Sequence, residues 1–318
     1  MTGAGGFIGS HLAERLAELG AHTRALVRYN AAGSWGWLDE SPRRHDLDVM
    51  LGDVRDAESV RAAMRDVDVV FHLAALIGIP YSYQAPRSYV HTNIEGTLNV
   101  LQAARDLGTS RVVQTSTSEV YGTAQYVPID ENHPLQGQSP YSASKIAADK
   151  MAEAFHRSFG LPVVTVRPFN TFGPRQSARA VIPMAITQAL IGREVKLGSV
   201  TPLRDFNFVG DTVDGFLRCA ETDAALGRVV NIGSGREVSI GGVVDLIVKI
   251  AGEDVIVVQD AARIRPAKSE VDRLCADNRL AAELVGWKPR TSLEDGLEQT
   301  IKWVRQNLDR YKLGRYVV

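Results

Sequence analysis

Thr2-Gly3-Ala4-Gly5-Gly6-Phe7-Ile8-Gly9 is the stretch whose reading decides the fold. Gly3, Gly6 and Gly9 form G-x-x-G-x-x-G, a spacing that permits a tight turn, close approach of backbone to a pyrophosphate, and close packing of the next helix. Phe7 and Ile8 complete the turn, and a helix opening at Ser10 offers unpaired N–H groups to phosphate. A glycine triplet alone is ambiguous, because glycine turns open many helices. The pattern of the downstream residues gives it meaning.

Beyond the loop, apolar runs alternate with segments of helical period. Strands are predicted at 23–27, 67–73, 111–116 and 163–167, and helices at 10–19, 57–64, 93–107 and 142–159. Such alternation predicts an α/β fold, a doubly wound parallel sheet of Rossmann type with right-handed crossovers. After Arg167 the rhythm breaks into loops rich in Pro and Arg, then a helical segment at 181–191, and a smaller lobe begins. The division read here is 1–168 for a dinucleotide-binding domain, to which 205–232 returns, with 169–204 and 233–318 forming the second lobe. One departure stands out. A glycine loop of this kind should come after a buried strand, yet only Met1 and Thr2 precede Gly3, so the first and most central strand is expected to be missing, with a cost in stability.

The composition narrows the class. The 318 residues are 45% hydrophobic and 23% charged, enough for a sizeable core. A net charge of −1 without basic blocks or acidic tails points to neither nucleic acid nor a membrane surface as partner. No apolar run reaches the length of a membrane helix and no signal-like segment opens the chain, so a cytoplasmic location is expected. Cys219 and Cys275 lack metal-ligand spacing and read as reduced thiols, and His11, His91, His133 and His156 read as structural, so no metal is expected.

At the end of the second strand, Leu26-Val27-Arg28-Tyr29-Asn30 carries no acid for the adenosine ribose of NAD. Arg28 stands there instead, either to accommodate the 2′-phosphate of NADP or as a solvated strand-end charge. Asp53, before Val54, can accept from an adenine amine or cap the next helix. Leu73, Ala74 and Ala75 end another strand with small residues that let backbone pass beneath a cofactor.

Tyr141 and Lys145, four residues apart on one helix, share a face. A lysine ammonium there favours phenolate, so that the tyrosine can take a hydroxyl proton as hydride leaves the same carbon. Y-x-x-x-K alone is common, but Ser116, Thr117, Ser118 and Glu119 end the preceding strand at the carboxyl edge, where doubly wound sheets bind ligands. Glu119 adds a carboxylate able to remove a carbon-bound proton, which simple alcohol oxidation does not require.

With these motifs, the whole chain resembles the extended short-chain dehydrogenase/reductases of the nucleotide-sugar epimerase and dehydratase group. It matches them in the glycine loop, Asp53, His72-Leu73-Ala74-Ala75, Thr117, Tyr141 and Lys145. Segments 30–39, 121–145 and 167–183 are most similar to the N-acetylglucosamine 4,6-dehydratases of legionaminic acid biosynthesis. The resemblance implies NAD as cofactor, a nucleotide-sugar substrate, and a homodimer formed as a four-helix bundle by the helices at 93–107 and 142–159. It also implies that Tyr141 deprotonates the carbon 4 hydroxyl, Lys145 tunes Tyr141 and holds the cofactor ribose, Thr117 bonds the carbon 4 oxygen, and Glu119 takes the carbon 5 proton. Asn170, Arg204 and Arg265 become diphosphate or sugar contacts, with Arg175 and Arg179 less clearly placed. Dehydratases of the dTDP-glucose type carry Thr-Asp-Glu where this chain has Thr117-Ser118-Glu119, a version similar to GDP-mannose 4,6-dehydratases and UDP-glucuronate decarboxylases. The leading reading is therefore a 4,6-dehydratase of UDP- or GDP-N-acetylglucosamine. A UDP-glucose or UDP-N-acetylglucosamine 4-epimerase, a UDP-glucuronate decarboxylase and a non-catalytic nucleotide-binding protein rank behind it.

Overall fold

Along each central strand the side chains alternate between two cores. Val70, Val112 and Val163 face one, and Phe71, Val113, Val164 and Val166 face the other. That period of two, apolar on both faces, is what a parallel sheet covered on both sides requires. The computed structural model describes residues 1–252, 255–263 and 266–311. Its central strands are β1 (Thr23–Arg28), β2 (Leu47–Gly52), β3 (Val69–His72), β4 (Arg111–Thr115), β5 (Val163–Pro168) and the strand Val229–Ile232. Pairing is parallel throughout, β2 with β1, β3 with β4, β4 with β5, and β5 with Val229–Ile232.

Between β1 and β3, where the sequence predicts a missing strand, stand Met1 and Thr2. The Thr2 N–H donates to Phe71 O at 2.9 Å, the Leu26 N–H donates to Met1 O at 2.8 Å, and the Leu73 N–H donates to Thr2 O at 3.3 Å. Thr2 thus bridges Leu26 on one side and His72 on the other, and the glycine loop leaves directly from this point.

One face of the sheet is covered by the helices Phe7–Glu18, Val209–Glu221 and Arg279–Val285, the other by Ala57–Met64, Gly96–Leu107 and Pro140–Phe159. The first begins three residues before the predicted start, because Gly6 serves as its N-cap. The last begins at Pro140 rather than Ser142, since Pro suits the first helical position and Ser139 and Ser142 form a reciprocal capping box. Trp287, which the sequence assigns to the second lobe, is instead buried in the sheet core, where its Nε1–H donates to Asp211 O at 2.9 Å. The second lobe gathers the helices Val181–Ile191, Ile240–Ala251 and Leu293–Gln306 around their own apolar cluster. Among the described residues, no helix is long and apolar enough to cross a membrane.

His72 ties the pinned residue to the helical layer. Thr97 Oγ1 donates to Asn93 O at 2.7 Å and so accepts from His72 Nε2 at 3.1 Å, which leaves His72 Nδ1 to accept the Thr2 hydroxyl at 2.7 Å. Burial, then the nearby Lys145 charge, pushes the imidazole down to about 3. The folded state therefore refuses a proton that the unfolded chain binds below about pH 6.5, and stability attributable to His72 is lost as pH falls, by up to about 1.4 kcal/mol per pH unit. Urea titrations at pH 7 and pH 5.5 are expected to show a steeper loss in the native protein than in His72→Asn; equal slopes would contradict a neutral His72.

Candidate active site

Gly3, the first residue of the glycine loop, has φ +70°, and a Cβ there would lie 2.7 Å from Ala74 N. A Cβ on Gly9 would lie 2.1 Å from Gly3 O, so the turn and the helix close on each other only without side chains. Gly6 caps the helix Phe7–Glu18, whose first turn holds no acidic residue. The N–H groups of Phe7, Ile8 and Gly9 are left without an intrahelical acceptor, a positive terminus suited to a pyrophosphate. These features fit a dinucleotide, which Gly3, Gly6, Phe7, Ile8 and Gly9 would hold at its phosphates.

At the ends of β1 and β2, Arg28 is exposed and Asp53 is clamped by Arg55, whose Nη2 reaches Asp53 Oδ2 at 2.5 Å. That guanidinium, with a smaller contribution from Arg28, holds the Asp53 carboxyl below its ordinary range. Asp53 does not cap the adjacent helix; Asp56 does, accepting from the Glu58 N–H at 3.0 Å.

One continuous cleft of about 1410 Å³ runs from here past the carboxyl edge of the sheet. Roughly 300–1,000 Å³ serves a single small ligand, so two can lie end to end. Its walls include Gly3, Gly6, Phe7, Ile8, Gly9, Arg28, Asp53, Val54, Leu73, Ala74, Ala75, Thr117, Ser118, Glu119, Tyr141, Lys145, Asn170 and Arg204. Of the site residues read from the sequence, Arg175 does not line this cavity and Arg265 lies outside the described residues; the others share it.

At the centre, the strand end after β4 meets the helix Pro140–Phe159. Lys145 Nζ donates to Thr115 O at 2.6 Å, and Thr117 caps the short turn Ser118–Tyr121 by accepting from the Glu119 N–H. Tyr141 and Lys145 are buried, Glu119 half-buried. Burial lowers Lys145 to about 8 against the opposing pull of Asp149. Burial likewise raises Tyr141 above its ordinary value, the Thr117 hydroxyl working against it and the Glu119, Tyr89 and Asp149 charges adding to it. The tyrosine is thus raised by desolvation where the Tyr–Lys spacing predicts a lowering.

Asp149 went unread in the sequence although it continues the same i, i+4 face. Its Oδ2 accepts from Ser116 Oγ at 2.7 Å, Arg167 Nε at 3.1 Å and Arg167 Nη2 at 3.0 Å, while its buried Oδ1 has no hydrogen-bond partner. Arg167 Nη1 donates to the Tyr121 hydroxyl, which donates to Asn231 Oδ1 at 2.7 Å. Asn93, also unread, sits on a π-helical turn, Val90–Glu95. It holds the cleft wall by accepting from the Leu76 N–H at 2.8 Å and donating to Leu76 O and Ser144 Oγ.

Farther along the cleft Arg204 is buried and paired with Glu270, Nη2 to Oε1 3.1 Å. Arg179 lines the cleft beside Gly78. Arg175 turns away: it pairs with Glu14 at 2.9 Å and reaches Ser10 Oγ, locking its loop to the helix Phe7–Glu18.

The sequence profile of the GDP-mannose 4,6-dehydratase family matches residues 1–300. The chain is 33% identical to a dTDP-glucose 4,6-dehydratase of Streptomyces antibioticus over 96% of its length and 92% of that protein's. It is 30% identical to a putative UDP-glucose 4-epimerase of Methanocaldococcus jannaschii, over 96% and 98% of the two chains. Among solved structures it superposes on the dTDP-glucose 4,6-dehydratase DesIV from Streptomyces venezuelae, with NAD and TYD bound, at a TM-score of 0.88, with 31% identity and 98% of each chain covered.

The Arg167–Asp149 pair is only 4% exposed on either side. Removing one charge leaves the other buried and uncompensated, so Asp149→Asn is expected to destabilise the protein by roughly 3–5 kcal/mol. Ser116→Ala, which deletes one hydrogen bond, should cost about 1 kcal/mol. Urea midpoints measure both, and equal losses would refute the buried-pair account.

Proposed function

Because the chain belongs to the GDP-mannose 4,6-dehydratase family of NAD-dependent nucleotide-sugar dehydratases and epimerases, we propose that it is a nucleotide-sugar 4,6-dehydratase acting on UDP- or GDP-N-acetylglucosamine. NAD is the cofactor, as in the related structure solved with it. When bound, it accepts a hydride and gives it back. The observation that carries the choice of reaction is the placement of Glu119 on the same cleft wall as Tyr141 and Lys145.

Tyr141 takes the carbon 4 hydroxyl proton, with the Thr117 hydroxyl holding that oxygen. Lys145, fixed by the Thr115 carbonyl, presents its ammonium to the cofactor ribose and to Tyr141. Oxidation at carbon 4 makes the carbon 5 hydrogen acidic, Glu119 removes it, water leaves carbon 6, and return of the hydride to carbon 6 with a solvent-derived proton to carbon 5 completes the reaction. Ser118 stands where the dTDP-glucose type carries Asp, so Glu119 acts as both base and acid. Asn170 and Arg204 hold the diphosphate end. In this reading 1–168 with 205–232 carries the cofactor, 169–204 and 233–318 carry the sugar nucleotide, and two chains meet through the helices Gly96–Leu107 and Pro140–Phe159. A 4-epimerase uses the same Tyr141 and Lys145, and the absence of a second acid at Ser118 is the feature that favours it.

Incubation with each nucleotide sugar in heavy water, with mass spectrometry of the products, tests the proposal. Loss of one water with uptake of one deuterium is expected; an unchanged formula with a new 4-epimer would replace dehydratase by epimerase. Glu119→Gln should slow turnover by ~10²–10⁴-fold and abolish solvent exchange at carbon 5. Undiminished exchange would remove Glu119 from its role. With Lys145 at about 8, the rate should decline as pH rises through that value and the ammonium is lost; Lys145→Arg should move that limb upward.

A further inference from the structure

The segment between β1 and β2 lies across the glycine loop. The Trp37 N–H donates to Gly5 O at 3.0 Å. A Cβ on Gly5 would lie 2.3 Å from Trp35 O, and one on Gly36, at φ +67°, would lie 2.4 Å from Gly5 O. The two backbones are therefore in direct contact, and Tyr29, Asn30, Ser34 and Gly36 of this strap line the cleft. The strap is internally stapled. The Asn30 side chain bonds both the N–H and the carbonyl of Ser34, and Asp39 accepts from Ser34 Oγ at 2.6 Å and the Trp35 N–H at 2.9 Å.

Its far side is fastened to the second lobe. Trp37 packs edge-on against Trp303 of the helix Leu293–Gln306, with ring centroids 5.3 Å apart and planes at 75°. Arg310 stacks over the same indole at 5.4 Å and pairs with Glu40. Trp303 then meets Tyr311, whose hydroxyl donates to the carbonyl of Gln176, a residue of the cleft wall.

We propose that Trp37 and Trp303 are positioning residues for the bound dinucleotide, clamping the strap onto the phosphate loop so that the cofactor stays in place through successive turnovers. A rigid strap cannot lift from Gly5 at one end while the indoles hold it at the other. The adenosine half of the cofactor, lying against residues 28–36, leaves only when the Trp37–Trp303 contact opens. Dehydration and epimerisation both return the hydride they remove, so retention serves either. The inference rests on NAD as the cofactor and not on the choice between those reactions.

The test is the rate at which NADH leaves the full-length protein, monitored by loss of its fluorescence on chasing with excess NAD. Trp303→Leu, which keeps apolar volume but removes the aromatic edge, should speed release on the order of tenfold, and Trp303→Phe should restore much of the native rate. If Trp303→Leu fails to fold, Trp37→Leu on the half-exposed strap gives the same reading. Val304→Ala, beside Trp303 but buried in the core of the second lobe, lowers stability without touching the strap and should leave release unchanged. Release from folded Trp303→Leu within about twofold of the native rate, or equal acceleration by Val304→Ala, would overturn the proposal. A protein that releases NADH as expected but converts no nucleotide sugar refutes the function proposed above and leaves this inference standing.

Discussion

Thr2 is held from both sides, and the cleft takes its geometry from that fixed point. Its backbone bonds to β3, the Met1 carbonyl before it bonds to β1, and its hydroxyl accepts from the Ala74 N–H at 3.1 Å while donating to His72. The glycine loop therefore starts at a defined height above Ala74, so close that Gly3 is the residue that fits. From that origin the helix terminus faces the cleft and the strand end of β4 lies across from it. The pin is polar and buried, which is why its histidine must remain neutral: an imidazolium between two hydroxyls and near Lys145 would bring uncompensated charge into the sheet.

The other buried polar set is charged and lies beside Tyr141 and Lys145. Arg167 on β5 and Asp149 on the helix Pro140–Phe159 neutralise each other, and Ser116 and Tyr121 extend the set to the carboxyl edge. Replacing such a pair by apolar residues is often neutral or stabilising, so stability alone does not account for it. Its position does. Asp149 opposes the desolvation that drives Lys145 toward neutrality and adds to the desolvation that keeps Tyr141 protonated. Lysine and tyrosine are thus both biased toward their protonated forms by the same carboxylate, and such perturbed pairs cluster at functional sites.

Much of this was legible in the residues because the signals were local. Glycines at fixed spacing, a Tyr and a Lys one helical turn apart, and valine-rich runs each carry their meaning within a few positions, and the structure sets them on one sheet and one cleft. What escaped depends on long-range placement. Asp149 carried a signal in its i, i+4 spacing from Lys145, but only the approach of Arg167 and Ser116 gives it a role. Asn93 bonds to Leu76 through a π-helical turn that helical periodicity does not mark. Trp287 and Trp37 each pack against elements far along the chain, which their neighbours in sequence do not mark. Arg175 and Arg179, four residues apart in one basic loop, diverge because Glu14 draws one of them onto the helix Phe7–Glu18.

The continuity of the cleft has a bearing on ligand design. Gly6, Tyr141 and Arg204 open onto the same cavity, so the site for the dinucleotide and the site facing it form a single trough. A compound joining a nicotinamide-like head to a sugar diphosphate would lose its rigid-body freedom once on binding rather than twice, and the second half would engage at the high effective concentration set by a short linker. A bisubstrate inhibitor is thus the class of molecule whose shape this trough already matches.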